Sequence, residues 1–199
     1  MDIDYLDQIS LYNTRRAHPE IKNCALLVID MQRFFRSFTS DIIDNVIMII
    51  ESFRAKNVPI IFTRHGHKNL KEDGGMLALW WDNHAIYGSS EWELLEEIPV
   101  MKEDIIINKN RYSAFWKTGL NEFLHSKDVE DLVIAGVLTN CCCETTARDA
   151  FMRDYRVFFV SDATATENDD LHLASLKNLA FGFAYIVNSN FICRSLSNT

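Results

Sequence analysis

Three consecutive cysteines, Cys141, Cys142 and Cys143, stand where an apolar run gives way to a helix-forming one, in LVIAGVLTNCCCETTARDA (residues 132–150). Residues 132–135 read as a buried strand, Gly136 stops it, and a short loop delivers the thiols to the first turn of a helix. That turn has free N–H groups and the positive end of the helix dipole, and both favour a thiolate over a thiol. A cysteine placed there is a candidate nucleophile. The alternative is an inert, small core residue. Two further groups stand at predicted strand ends: Asp30 closes CALLVID and Lys109 closes DIIINK. A carboxylate can serve as general base on a thiol and then as acid toward a leaving group. An ammonium favours the thiolate and can hold or polarise a substrate. Singly, an Asp or a Lys at a strand end is an ordinary loop residue; the combination carries the chemistry.

The elements that must bring these groups together alternate along the chain. Apolar, β-branched runs at residues 24–29, 58–62, 104–108, 131–135, 157–161 and 184–187 are hydrophobic on nearly every residue, as strands buried on both faces are. Helical periodicity fills residues 40–56, 119–126, 145–154 and 169–182. The alternation predicts a three-layer α-β-α domain with a doubly wound, six-stranded, mainly parallel sheet of Rossmann type, whose site lies at the carboxyl ends of the strands. Residues 1–199 read as a single domain, with residues 1–20 as an N-terminal extension. Residues 64–98 form an aromatic-rich insertion near the site, holding three of the four tryptophans (Trp80, Trp81 and Trp92). A long connection leaving a strand's carboxyl end is more often functional than not, though packing of the loop onto the body is the competing account.

Composition narrows the class. With 28 acidic against 20 basic residues the net charge is −8, and no basic cluster offsets it, so neither nucleic acid nor an anionic membrane is an expected partner. No apolar run approaches membrane length, and the acidic segment MDIDYLDQIS is no signal peptide. Five cysteines, three of them adjacent, give no disulfide framework and no zinc spacing, which fits a reducing cytoplasm.

Four segments are familiar together: ALLVIDMQRFF (residues 25–35), INKNRYSAFWKTGL (107–120), LVIAGVLTNCCCETTARDA (132–150) and VFFVSDATAT (157–166), with a weaker tail at residues 172–189. In this order they resemble the isochorismatase-like cysteine hydrolases, a superfamily that includes nicotinamidases and N-carbamoylsarcosine amidohydrolase. The resemblance implies an Asp–Lys–Cys triad of Asp30, Lys109 and Cys142, with Cys141 and Cys143 as packing residues. It also implies a non-proline cis peptide between Val137 and Leu138, which sets the Leu138 N–H beside that of Cys142 as an oxyanion hole. The implied reaction is hydrolysis of an amide, carbamoyl or ureido C–N bond of a small molecule through a thioester. Members that cleave the vinyl ether of isochorismate lack the cysteine.

Nicotinamidases bind a divalent metal through an Asp and two His after the second strand. Here TRHGHKNLKEDGG offers His65 and His67 but has Arg64 where an aspartate would help, so no metal and no cofactor is expected; Asp73 and His84 are the conceivable additional ligands. Substrate contacts are expected from Phe35, Arg64, His65, Trp80, Tyr112 and Phe115, within a wall that also draws on Phe34 and Trp116. By resemblance the enzyme is a homo-oligomer acting on a small-molecule substrate. Two other classes use part of the same residues: a catalytically idle binding or scaffold domain, and a redox-sensing thiol protein prompted by Cys141–Cys143.

Overall fold

The computed structural model describes residues 5–197, so the first four residues of the acidic N-terminal segment lie outside the described residues. In chain order the elements are α1 (Tyr5–Gln8), β1 (Cys24–Ile29), α2 (Ile43–Ala55), β2 (Ile60–His65), α3 (Leu77–Trp80), β3 (Ile105–Lys109), α4 (Leu120–Ser126), β4 (Asp131–Val137), α5 (Glu144–Phe151), β5 (Arg156–Ala165), α6 (Asp169–Gly182), β6 (Tyr185–Val187) and α7 (Ser189–Ser197). The six strands form one sheet ordered β3-β2-β1-β4-β5-β6. Every neighbouring pair is parallel, so the sheet expected to be mainly parallel is wholly so. The order reverses between β1 and β4. In a doubly wound sheet the crevice above that junction is where ligands bind.

Alternation along the central strands builds two cores. Ala25, Leu27 and Ile29 of β1 face one way with Leu132 and Ile134 of β4, against Leu124 of α4, Ala147 and Ala150 of α5, and Leu176 and Leu179 of α6. Leu26 and Val28 face the other way with Val133 and Ala135, against Val46, Ile49 and Phe53 of α2 and Ile192 and Leu196 of α7. Both strands are buried at every residue. Strand β3 departs from the expected pattern: Ile105 and Ile106 are each 37% exposed, because an edge strand has a neighbour on one side only. Among the described residues no helix is long and apolar enough to cross a membrane.

At the carboxyl end of the β1–β4 pair the backbone leaves regular geometry. Gly136 has φ +118°, and a Cβ there would overlap the Ile29 carbonyl oxygen, so only glycine lets the strands approach this closely. Asp30, the first residue beyond β1, has φ +49°. The Val137–Leu138 peptide is cis. The aromatic-rich segment begins within β2, since Arg64 and His65 are its last residues; beyond them the chain makes a π-helical turn over Leu70–Gly74 and the short helix α3. The N-terminal extension is tied to the body where the Asn13 side chain donates to the Ile186 carbonyl at 2.9 Å and the Glu20 N–H donates to Asp131 Oδ2 at 2.6 Å.

Candidate active site

Asp30 follows β1, Lys109 is the last residue of β3, and Cys142 sits on a π-helical turn, Thr139–Cys143, between β4 and α5. Lys109 reaches across β2, where it is in register with His65, toward the end of β1. Its Nζ lies 2.7 Å from Asp30 Oδ2, 3.3 Å from Cys142 Sγ and 3.1 Å from the Arg111 carbonyl oxygen. The three ammonium protons therefore have three acceptors. The other Asp30 oxygen accepts from Thr63 Oγ1 at 2.6 Å, and that hydroxyl accepts the Asp30 N–H at 3.1 Å. Three side chains remote in sequence thus meet above the sheet, two of them fully shielded from solvent and the thiol 5% exposed.

Burial and charge set the resting protonation. Burial works against the Lys109 ammonium, but Asp30 and then Cys142 outweigh it, and the pKa is raised. For Cys142, burial is the largest influence and raises the pKa; Asp30 adds to it, and Lys109 opposes it without prevailing. Burial and the adjacent carboxylate thus work against the thiolate that a helix start and the ammonium favour. Burial likewise lowers His65 to about 3, so its imidazole is neutral.

The thiol opens into a cavity of about 550 Å³. Of the expected contacts, Phe35, His65 and Tyr112 line it, with Phe34 of the expected wall and Leu138 of the expected oxyanion hole, joined by Phe38 and Cys141. Three expected contacts lie elsewhere. Arg64 pairs with Glu93 at 2.9 Å and covers the Trp92 ring at 3.6 Å, which holds its charge away from the cavity. Trp80 points to solvent at 74% exposure; its neighbour Trp81 takes the lining position and donates from Nε1 to the Tyr112 hydroxyl at 2.8 Å. Phe115 is buried in the core and stacks on Tyr155. Cys143 is fully buried in that core, whereas Cys141 is half-buried at the cavity wall.

Among the described residues no three His, Cys, Asp or Glu side chains gather as a metal site requires. His65 and His67 meet edge to face with ring centroids 5.2 Å apart, and Asp73 lies 3.3 Å from His67 Nδ1 while accepting the Lys68 N–H. The donor set does not fit the metal that the resemblance associates with nicotinamidases. Two residues that position the site are not among the expected ones. Thr63 orients Asp30, as described. Gln32, fully buried, accepts the His65 N–H at 2.7 Å and donates to the carbonyls of His65 and Trp92, fastening the aromatic segment to β2. A polar residue at the end of an apolar run is the one hint either offers.

Comparison with known proteins identifies the class. The Isochorismatase domain model matches residues 24–190, and the chain belongs to the isochorismatase family. It is 48% identical to Nicotinamidase 3 of Arabidopsis thaliana over 188 residues, covering 93% of this chain and 94% of that protein. It is 32% identical over 168 residues to Enterobactin synthase component B of Escherichia coli (strain K12), where the match covers 81% of this chain but only 59% of that protein. A crystal structure of a cysteine hydrolase from Pseudomonas syringae pv. phaseolicola 1448A superposes with a TM-score of 0.86 at 27% identity, covering 92% of this chain and 96% of that one.

Proposed function

We propose that the protein is a cysteine amidohydrolase that cleaves the C–N bond of a small, planar amide or carbamoyl compound. The observation that carries this reading is Lys109 Nζ held between Asp30 Oδ2 and Cys142 Sγ at the floor of a cavity with aromatic walls. The similarity to Nicotinamidase 3 supports it. In the proposed cycle the Cys142 proton passes to Asp30 as sulfur attacks the carbonyl carbon. The oxyanion is received by the N–H groups of Leu138 and Cys142, and one such donor is worth roughly 3–4 kcal/mol. Asp30 then gives the proton to the departing nitrogen, the C–N bond breaks, and ammonia or an amine leaves a thioester. Water, deprotonated by Asp30, attacks the thioester and releases the acid, and the proton returns to sulfur. Lys109 stays charged throughout, its ammonium between the Asp30 carboxyl and the sulfur.

Five free cysteines support a reducing, cytoplasmic setting. Exposed Met76, Leu79 and Trp80 beside the cavity support a homo-oligomer, which sedimentation would measure. The test of the activity is ammonia release from nicotinamide, carbamoyl compounds and ureido acids, with Cys142→Ala as the blank. Turnover of at least one compound that vanishes in the variant is expected. No turnover of any, or equal turnover in the variant, overturns the reading.

A further inference from the structure

The cavity wall carries one polar pair that bond breaking leaves unused. Thr166, the first residue beyond β5, donates from Oγ1 to Asn140 Oδ1 at 2.6 Å, and both residues line the cavity. Asn140 stands two residues before Cys142 on the same turn. With its oxygen engaged by Thr166, the carboxamide is held in one orientation. Its Nδ2 meets no acceptor among the described residues. A carboxamide nitrogen offers two donors and accepts nothing, so a ligand that completes this site must bring an acceptor. Burying such a donor under a ligand that lacks one is unfavourable.

The charge on the same wall limits what kind of acceptor. Glu167, next to Thr166, and Asp82 are carboxylates in the lining, and the lining holds neither lysine nor arginine. The nearby cations are engaged: Lys109 with Asp30, Cys142 and Arg111, and Arg64 with Glu93 and Trp92. An anionic acceptor would meet like charge, with no lysine or arginine in the lining to offset it.

We infer that Asn140, oriented by Thr166, is a specificity-determining residue that donates to an uncharged acceptor on the substrate, a ring nitrogen or carbonyl oxygen apart from the scissile bond, while Glu167 and Asp82 select against anionic substrates. The inference deepens the amidohydrolase reading and rests on it. A site built to donate a hydrogen bond discriminates against an analogue without the acceptor, because the donor is then left unpaired.

The experiment compares ammonia release from benzamide, pyridine-3-carboxamide and 3-carbamoylbenzoate, which differ by one ring acceptor and by one negative charge. The wild-type protein is expected to favour pyridine-3-carboxamide over benzamide in kcat/KM by roughly 10- to 100-fold, the cost of leaving one donor unpaired under the ligand, and 3-carbamoylbenzoate is expected to be the poorest. In Asn140→Ala the pyridine-to-benzamide ratio collapses toward one, and Thr166→Val lowers it by a smaller factor without removing the carboxamide. Glu167→Gln raises the share of the anionic amide. Hydrolysis of benzamide and the pyridine amide at equal rates by the wild-type protein overturns the assignment. So does a ratio unchanged in both Asn140→Ala and Thr166→Val. No ammonia from any of the three amides, or from the wider set of small amides, defeats the amidohydrolase reading itself and the assignment with it.

Discussion

Removing the Lys109 ammonium tests whether the buried pair is as tightly coupled as its geometry requires. Both side chains are fully shielded, and the charges stand 2.7 Å apart. At an effective dielectric constant of 20, that separation corresponds to an attraction of about 6 kcal/mol, against a desolvation penalty of several kcal/mol for each ion. The pair as a whole is then nearly neutral for stability, while either charge alone is strongly unfavourable. Lys109→Met is expected to lower unfolding stability by about 3–5 kcal/mol, and Asp30→Asn by a similar amount. Asparagine suits the test because Asp30 has φ +49°, a conformation that Asn adopts readily. The double variant, with neither charge, should recover most of the loss. The coupling read from urea unfolding of the four proteins should be at least about 3 kcal/mol in magnitude, whereas independent sites add within about 0.5 kcal/mol. Additive losses would refute the argument, since they would mean that neither charge is buried against the other. All three variants should be inactive, so stability and activity separate here: the double variant folds well and does not turn over.

Other perturbations read different parts of the molecule. Carboxamidomethylation of Cys142 by iodoacetamide should climb about tenfold per pH unit between pH 7 and pH 9, because only the thiolate reacts and burial holds its pKa up; a rate flat over that range, read by mass spectrometry, would place a thiolate there already. Thr63→Val removes the hydroxyl that both accepts the Asp30 N–H and donates to its carboxylate, so a stability loss of about 1–3 kcal/mol and a falling kcat at nearly constant KM are expected. Gly136→Ala forces a Cβ into the Ile29 carbonyl at φ +118° and should cost at least about 3 kcal/mol, measured as a fall in the urea midpoint. Burial lowers His172 from 6.5 to about 4, so between those values the unfolded chain holds the extra proton. Stability should therefore fall as pH drops through that window, by up to about 1.4 kcal/mol per pH unit from this residue, and His172→Asn should flatten that part of the curve.

What the sequence discloses and what it conceals divide along physical lines. Strands β1 and β4 are legible because a central parallel strand buries both faces and must be apolar throughout; β3, at the edge, carries the same isoleucines without burying them, so composition overstates its surroundings. Asp30, Lys109 and Cys142 are legible because the carboxyl ends of parallel strands point to one rim wherever they lie in the chain. Thr63 and Gln32 are not, since each acts through a neighbour about thirty positions away that only the sheet order brings near. Arg64 looks like a free cation until Glu93 and Trp92, at the far end of the aromatic segment, fold back over it. The choice between Trp80 and Trp81 turns on where a four-residue helix ends, finer than any periodicity over so short a stretch can resolve. Protonation is the deepest case. A helix start and a nearby lysine both argue for a thiolate at Cys142, and both are present, yet the largest influence on its pKa is how completely the surrounding fold excludes water, a property no local segment carries.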